Sequence, residues 1–220
     1  MTKVIFIGAT GTDIGKTYVT CLLLRQLRKL GHKARAVKPV ISGFDDEAID
    51  QTDTGLLLRA MDMTPTLDNA RMISPWRYAP PLPPHIAAQK IGETINFEEV
   101  ALFCQKHIKN DLDFLLIEGA GGIMVPLNYQ HTTLDLMARL GCQCLLVAGS
   151  ALGTISHSLT ALSCLNQRGI DVAGLIISES PQSYINIEGV LQDFTKIIPN
   201  IPLRAIKRHD QTEEIAALVI

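Results

Sequence analysis

The sequence predicts an α/β fold: a three-layer α/β/α sandwich around a mostly parallel central sheet. Three observations carry this. Short β-branched or leucine-rich runs recur without polar interruption, as strands buried on both faces do. Each run gives way to a turn and then to a longer stretch with helical spacing of its apolar residues. And 220 residues, 47% hydrophobic and 19% charged, suit one large domain with a substantial core, spanning residues 1–220.

In chain order, the apolar run 4–7 is the first strand and 16–30 the first helix, with 34–39 a second strand. Strands also fit at 114–117, 144–148, 172–177 and 202–206, and helices at 97–109, 132–140, 155–168 and 185–197. Between them Pro80-Pro81-Leu82-Pro83-Pro84-His85 reads as a rigid loop with Pro84 opening a helix through Gln89; the competing reading is a polyproline ligand for a partner module.

Composition narrows the function. A formal charge of −2 without a basic block speaks against nucleic acid, so an anionic ligand needs a local cluster of lysines. The five cysteines are an odd, scattered set, with neither a disulfide framework nor paired metal spacing, and Cys142 and Cys144 read as strand residues sharing a buried face. No apolar run of about 20 residues exists to span a membrane, and the run 4–7 is too short for a signal sequence. A reduced cytoplasm is the expected location.

Ligands of open α/β sheets sit beyond the carboxyl ends of the strands, so those ends are where chemistry is expected. After the first strand comes Gly8-Ala9-Thr10-Gly11-Thr12-Asp13-Ile14-Gly15-Lys16-Thr17. A strand, a Gly/Thr loop and a helix starting near Gly15 form a phosphate cradle, in which backbone N–H groups and the helix N-terminus converge on an anion. Lys16 reaches terminal phosphates and the Thr17 hydroxyl suits Mg²⁺. The spacing G-x-x-x-x-G-K-[ST] is missed, because position 10 is threonine.

The strand 114–117 runs into Glu118-Gly119-Ala120-Gly121-Gly122, a carboxylate placed like a Walker-B acid, followed by glycines that allow close backbone approach. The second strand ends in Lys38-Pro39-Val40-Ile41-Ser42-Gly43. A lysine there is a second cation beside the phosphates, suited to phosphoryl transfer, although a lone strand-end lysine is more commonly a solvated charge. Asp53, after the acidic stretch Asp45, Asp46, Glu47 and Asp50, is either a helix N-terminal acid or a second metal carboxylate. Gly149-Ser150-Ala151-Leu152-Gly153-Thr154-Ile155-Ser156-His157 is another strand end and helix start whose free N–H groups suit a carboxylate.

Taken together these residues resemble the dethiobiotin synthetase family, P-loop NTPases of biotin biosynthesis, over most of the chain. The family's Thr-Gly-Thr-Asp-Thr-x-x-Gly-Lys-Thr is similar to Gly8 through Thr17, and its loop is one residue longer than the common spacing, which accounts for Thr10. Its Lys-Pro-Val-x-Ser-Gly is matched by Lys38 to Gly43, its Pro-His by Pro84-His85, its Glu-Gly-Ala-Gly-Gly by Glu118 to Gly122, and its Leu-Gly-x-x-Asn-His by Leu152 to His157. The resemblance implies an ATP- and Mg²⁺-dependent cyclo-ligase that forms the ureido ring of dethiobiotin from 7,8-diaminopelargonic acid and CO₂. The route runs through a carbamate and a carbamic-phosphoric mixed anhydride, releasing ADP and phosphate.

It further implies that Thr17, Asp53 and Glu118 hold Mg²⁺, and that Lys16, Lys38 and Thr12 serve catalysis. The nucleotide falls to Asp13, Ile14, Gly15, Lys16, Thr17 and Tyr18, with Ser178 at the base. The substrate falls to Ser42, to Gly119, Ala120, Gly121 and Gly122, and to Leu152, Gly153 and Ser156. A homodimer is implied, with the substrate's carboxylate tail reaching the partner's 152–157 loop. Four departures stand out: Ala9 for the usual glycine, Gly11 for aspartate, Ser178 for the asparagine that reads adenine, and Ser156 for asparagine; Lys207 lies near a position that is often proline. Relaxed base selectivity is the expected consequence of Ser178.

Three other readings compete. Cobyrinic acid diamide synthase-like amidoligases carry a further glutaminase domain, for which there is no room. Partition- or septum-type ATPases carry a lysine early in the loop, and none precedes Gly15 within it here. A non-catalytic nucleotide-binding protein would leave Lys38 and Glu118 idle.

Overall fold

The computed structural model describes residues 1–109, 111–183 and 186–220. Its elements in chain order begin with β1 (Lys3–Ala9), α1 (Lys16–Lys29), β2 (Ala34–Val37), β3 (Val40–Ser42), α2 (Asp53–Ala60), α3 (Leu67–Ile73), β4 (Trp76–Tyr78) and α4 (Pro84–Lys90). They continue with α5 (Phe97–Lys106), β5 (Phe114–Glu118), α6 (Thr133–Leu140), β6 (Gln143–Gly149), α7 (Thr154–Gln167), β7 (Val172–Ser178), α8 (Ile187–Ile197) and β8 (Leu203–Ile206). Six strands form one parallel sheet in the order β2-β5-β1-β6-β7-β8, and β3 and β4 form a separate parallel pair.

The expected strands are all present, and the central ones are the most apolar. Ile5, Phe6, Ile7, Leu115, Leu116 and Ile117 are fully buried. β1 lies between β5 and β6, with Ile7 opposite Glu118 and Ala9 opposite Val147. The chain therefore departs from β1 toward one edge and later returns on its other side. The carboxyl ends of β1, β5 and β6 open onto one crevice at this switch in strand order.

Local chemistry marks several boundaries. Thr132 and Asp135 cap α6 reciprocally, and Thr52 caps α2 by accepting from the Gly55 N–H at 3.1 Å. Pro84 occupies the first turn of α4, as expected. The second strand stops at Val37 rather than at Pro39, because the Lys38 N–H turns away to the Ile73 carbonyl at 3.0 Å and proline offers no N–H. The helix expected at 97–109 ends at Lys106, and that expected at 185–197 starts at Ile187, residue 185 lying outside the described residues.

The small sheet β3–β4 and the helix α3 were not anticipated, and α2 was foreshadowed only by the reading of Asp53 as a helix N-terminal acid, which its first turn bears out. Three-residue strands carry no readable period, and α2 depends on a contact between distant backbones: a Cβ at Gly55 would lie 1.9 Å from the Ile49 carbonyl oxygen. That glycine lets α2 seat on the 3₁₀ turn Ile49–Gln51 and so fixes Asp53 at the helix start. All five cysteines are free thiols, four of them buried. Among the described residues no helix is long and apolar enough to cross a membrane.

Candidate active site

The loop between β1 and α1 wraps a cavity of about 530 Å³. Asp13 and Gly15 take left-handed backbone angles, φ 57° and 95°, which turn the chain sharply into α1. Gly15 cannot be replaced at low cost: besides its φ, a Cβ there would meet the Ser178 Oγ at 2.6 Å. The N-terminus of α1 has no side-chain cap and no acidic residue in its first turn. Its positive end thus faces the cavity uncompensated, as an anion site requires.

Four of the cavity's polar walls come from separate elements. Lys16 and Thr17 open α1, Lys38 follows β2, Ser42 ends β3, and Asp53 starts α2. Behind them Glu118, at the end of β5 and fully buried, ties the group together. Thr17 Oγ1 donates to Glu118 Oε1 at 2.7 Å and Lys38 Nζ donates to the same oxygen at 2.6 Å. Lys38 Nζ also donates to Asp53 Oδ2 at 2.7 Å. The two carboxylates thus take two of its three N–H groups.

This arrangement fixes the charges. Burial alone would lower the Lys38 pKa, but the carboxylates of Glu118 and Asp53 outweigh it and hold the ammonium protonated well above the usual lysine range. Burial would likewise raise Asp53, yet the charge and hydrogen bond of Lys38 keep its carboxyl below the usual range. Lys16 goes the other way. Burial, reinforced by the like charge of Lys38, pulls it down to about 8, and Glu118, Asp53 and Asp13 offset only part of this. A dry pair of lysines, one of them short of counter-charge, is an avid anion receptor. Lys16 meanwhile folds back over the loop, 3.3 Å from the Gly11 carbonyl.

The donor set also suits a hard cation. Asp53, Glu118 and the Thr17 hydroxyl are oxygen ligands, and since Thr17 donates its proton to Glu118 its lone pairs remain available. Among the described residues no group of three or more His, Cys, Asp or Glu is placed to hold a metal ion by itself. Two carboxylates and a hydroxyl fit an ion completed by phosphate oxygens and water rather than a protein cage.

Of the residues singled out from sequence, Thr12, Asp13, Gly15, Lys16, Thr17, Tyr18, Lys38, Ser42, Asp53, Ala120 and Gly121 line this one cavity. Gly119 and Gly122 are packed rather than facing it: a Cβ would meet Phe6 at 2.9 Å or the Ala9 carbonyl at 3.4 Å. Ile14 instead lies against Gly149, 3.5 Å from where a Cβ there would be. Ser178 sits behind Gly15. Leu152 and Gly153 lie elsewhere, on a smaller cleft of about 270 Å³ shared with Val190 and Asp193. Leu152 is 87% exposed and Ser156 is also at the surface.

Two contributors were missed. The Pro81–Pro84 segment forms one wall of the cavity, so the proline run folds onto its own site. Thr20, fully buried one turn after Thr17, donates to Glu118 Oε2 at 2.7 Å; its position three residues past Thr17 on a helix was the available signal. Tyr18, expected at the nucleotide, lies in the first turn of α1 and donates to the Asp210 carbonyl, tying the 207–212 segment to that helix, while the Arg208 N–H reaches Glu179 Oε2 at 2.8 Å.

A family profile described as "AAA domain" matches residues 3–218. The ATP-dependent dethiobiotin synthetase BioD of Caulobacter vibrioides (strain NA1000 / CB15N) is 46% identical over 179 residues, covering 81% of this chain and 80% of the relative. That of Acidiphilium cryptum (strain JF-5) is 44% identical over 174 residues, covering 79% and 78%. Among solved structures, the septum site-determining protein MinD of Pyrococcus horikoshii OT3, complexed with Mg-ADP, superposes with a TM-score of 0.55 at 18% identity, covering 94% of this chain and 82% of that one. At that identity the likeness establishes the P-loop NTPase fold alone.

Proposed function

We propose, on the premise that the chain belongs to the ATP-dependent dethiobiotin synthetase family, that its 530 Å³ cavity closes the ureido ring of 7,8-diaminopelargonic acid with CO₂ and ATP. The protein is accordingly a ligase. One observation carries the finer reading. Beyond the phosphate loop the cavity holds the buried Lys38 ammonium together with Ser42, whose buried Oγ has no protein partner among the described residues. A buried polar atom left unpaired in a cavity that also holds a fixed cation costs stability unless a ligand completes it. A carbamate needs such a cation and donor.

In the proposed sequence one substrate amine attacks CO₂ and loses a proton, giving a carbamate. Its oxygen displaces ADP from the γ-phosphorus to give the mixed anhydride, and the second amine closes the ring and expels phosphate. Lys38 and Ser42 hold the carbamate, Lys16 bridges the terminal phosphates, and Thr12 lines the transfer path. Phosphorylation matters because a carbamate is a poor electrophile, and two lysines offset the repulsion between it and a triphosphate. Thr17, Asp53 and Glu118 would hold Mg²⁺, which when bound supplies neutralising charge on the transferring phosphoryl group.

The separation of Leu152, Gly153 and Ser156 from the cavity supports a homodimer in which the partner's α7 N-terminus receives the substrate's carboxylate tail. No nucleic-acid or membrane partner is proposed, and the reduced cytoplasm remains the proposed location. The deciding experiment mixes protein, diaminopelargonic acid, bicarbonate, Mg²⁺ and ATP and follows product mass together with ADP. One ADP per cyclic urea is expected; ADP release independent of the diamine would refute the reading. Lys16→Ala should abolish turnover and Lys38→Ala reduce it by about 10² or more.

A further inference from the structure

Glu118 is a fully buried carboxylate with a distinct load on each oxygen. Oε1 accepts from Thr17 and Lys38, at 2.7 and 2.6 Å, on the side of the cavity. Oε2 accepts from Thr20 at 2.7 Å. The Thr20 hydroxyl also lies 2.9 Å from the Lys16 carbonyl, but it has a single proton to give. The α-helix already supplies that carbonyl with a backbone N–H, and a carboxylate oxygen is the stronger acceptor. The proton therefore goes to Glu118.

We infer that Thr20 is a positioning residue: it pins Oε2 and thereby sets the plane of the Glu118 carboxylate, so that Oε1 faces Thr17, Lys38 and the metal–phosphate region. Thr20 itself touches neither nucleotide nor substrate, since α1 interposes Lys16 and Thr17 between it and the cavity. Its hydroxyl acts through Glu118 alone. Without it Oε2 is a buried anionic oxygen lacking a donor, and the carboxylate regains hydration or partners only by rotating Oε1 away from the Thr17–Lys38 side. Outer donors of this kind commonly carry about 10–100-fold in metal affinity.

The inference rests on the proposed role of Glu118 in holding Mg²⁺, and its test is independent of turnover. Mn²⁺ binding to the full-length protein is measured by electron paramagnetic resonance with saturating ADP, and ADP binding by calorimetry in EDTA. Thr20→Val keeps the side-chain shape and removes the donor; Thr20→Ser keeps the donor. Thr20→Val is expected to weaken Mn²⁺ binding by about 10–100-fold while metal-free ADP affinity moves by less than about 3-fold, and Thr20→Ser to stay within about 3-fold of wild type in both. If Thr20→Val does not fold, Thr20→Cys, a weak donor of similar size, should still lose about 5-fold or more in Mn²⁺ affinity. Unchanged Mn²⁺ binding in the Val or Cys variant overturns the inference. So does an equal loss with and without metal, or a wild type that binds no Mn²⁺ with ADP. A wild type that forms no cyclic urea yet shows the Thr20 effect would overturn the ligase reading and leave the inference standing.

Discussion

Lys16 destabilises the fold it serves. It is 6% exposed, and burial together with the charge of Lys38 depresses its pKa from lysine's ordinary 10.5 to about 8. At about 1.4 kcal/mol per pH unit, keeping it charged in the folded state costs about 3 kcal/mol. Replacing it by methionine retains the stem and removes the charge, at the loss of the long hydrogen bond to the Gly11 carbonyl, worth about 1 kcal/mol. The expected net gain of Lys16→Met near neutral pH is about 2 kcal/mol, or about 4–8 °C in Tm for a chain of this size. Between about pH 8 and pH 10.5 the unfolded state binds more protons at this site than the folded state, so wild-type stability rises with pH there. The advantage of the variant is thus complete below about pH 8 and fades through that window. Thermal unfolding without nucleotide, at pH 7 and at pH 9.5, measures both effects. A variant that melts below wild type at pH 7, or a difference that does not shrink at pH 9.5, would refute the reasoning.

Lys38→Met should do the reverse, leaving the buried Glu118 opposite Asp53 without their cation and costing about 3–5 kcal/mol in urea unfolding at pH 8. Because Lys38 holds the Asp53 carboxyl below its ordinary range, that stabilisation is present above the unfolded carboxylate pKa and lost as pH falls through the folded one. A deficit of equal size at about pH 2, well below the ordinary carboxylate value of 3.8, would contradict it. Gly15→Ala places a Cβ 2.6 Å from the Ser178 Oγ at φ 95° and should weaken ADP binding by about 10-fold or more in calorimetry. Adding Ser178→Gly should not restore it fully, since the backbone strain remains; complete recovery would show the steric contact to be the whole cause. With serine at position 178, turnover with ATP and GTP should be comparable, and a preference above about 100-fold, about 2.7 kcal/mol, would defeat that expectation.

Much of the fold was legible locally. Runs such as Phe114–Glu118 are apolar without a break because both faces of the sheet are covered, and that pattern needs no knowledge of partners. The phosphate loop was equally plain, since its strand–loop–helix context and Gly15-Lys16-Thr17 lie within one short stretch. Lys38, Asp53 and Glu118 could be proposed from their places at element ends, though nothing local joined them. Their meeting depends on β5 inserting between β2 and β1, a pairing across some 80 residues.

What the sequence determined by itself was therefore the kind of protein: a parallel α/β sheet, an anion-binding helix start, and a set of candidate cations and carboxylates at strand ends. The tertiary structure alone decided which of these share a dielectric. It placed Lys38 between Asp53 and Glu118, making that lysine more basic, and left Lys16 beside it short of counter-charge, making it less so. It folded the prolines 81–84 onto the cavity, recruited Thr20 to Glu118, and kept Leu152 and Ser156 apart from the site. Element type follows from periodicity along the chain. Charge state and hydrogen-bond direction follow from distances of a few ångströms between residues that the chain itself keeps far apart.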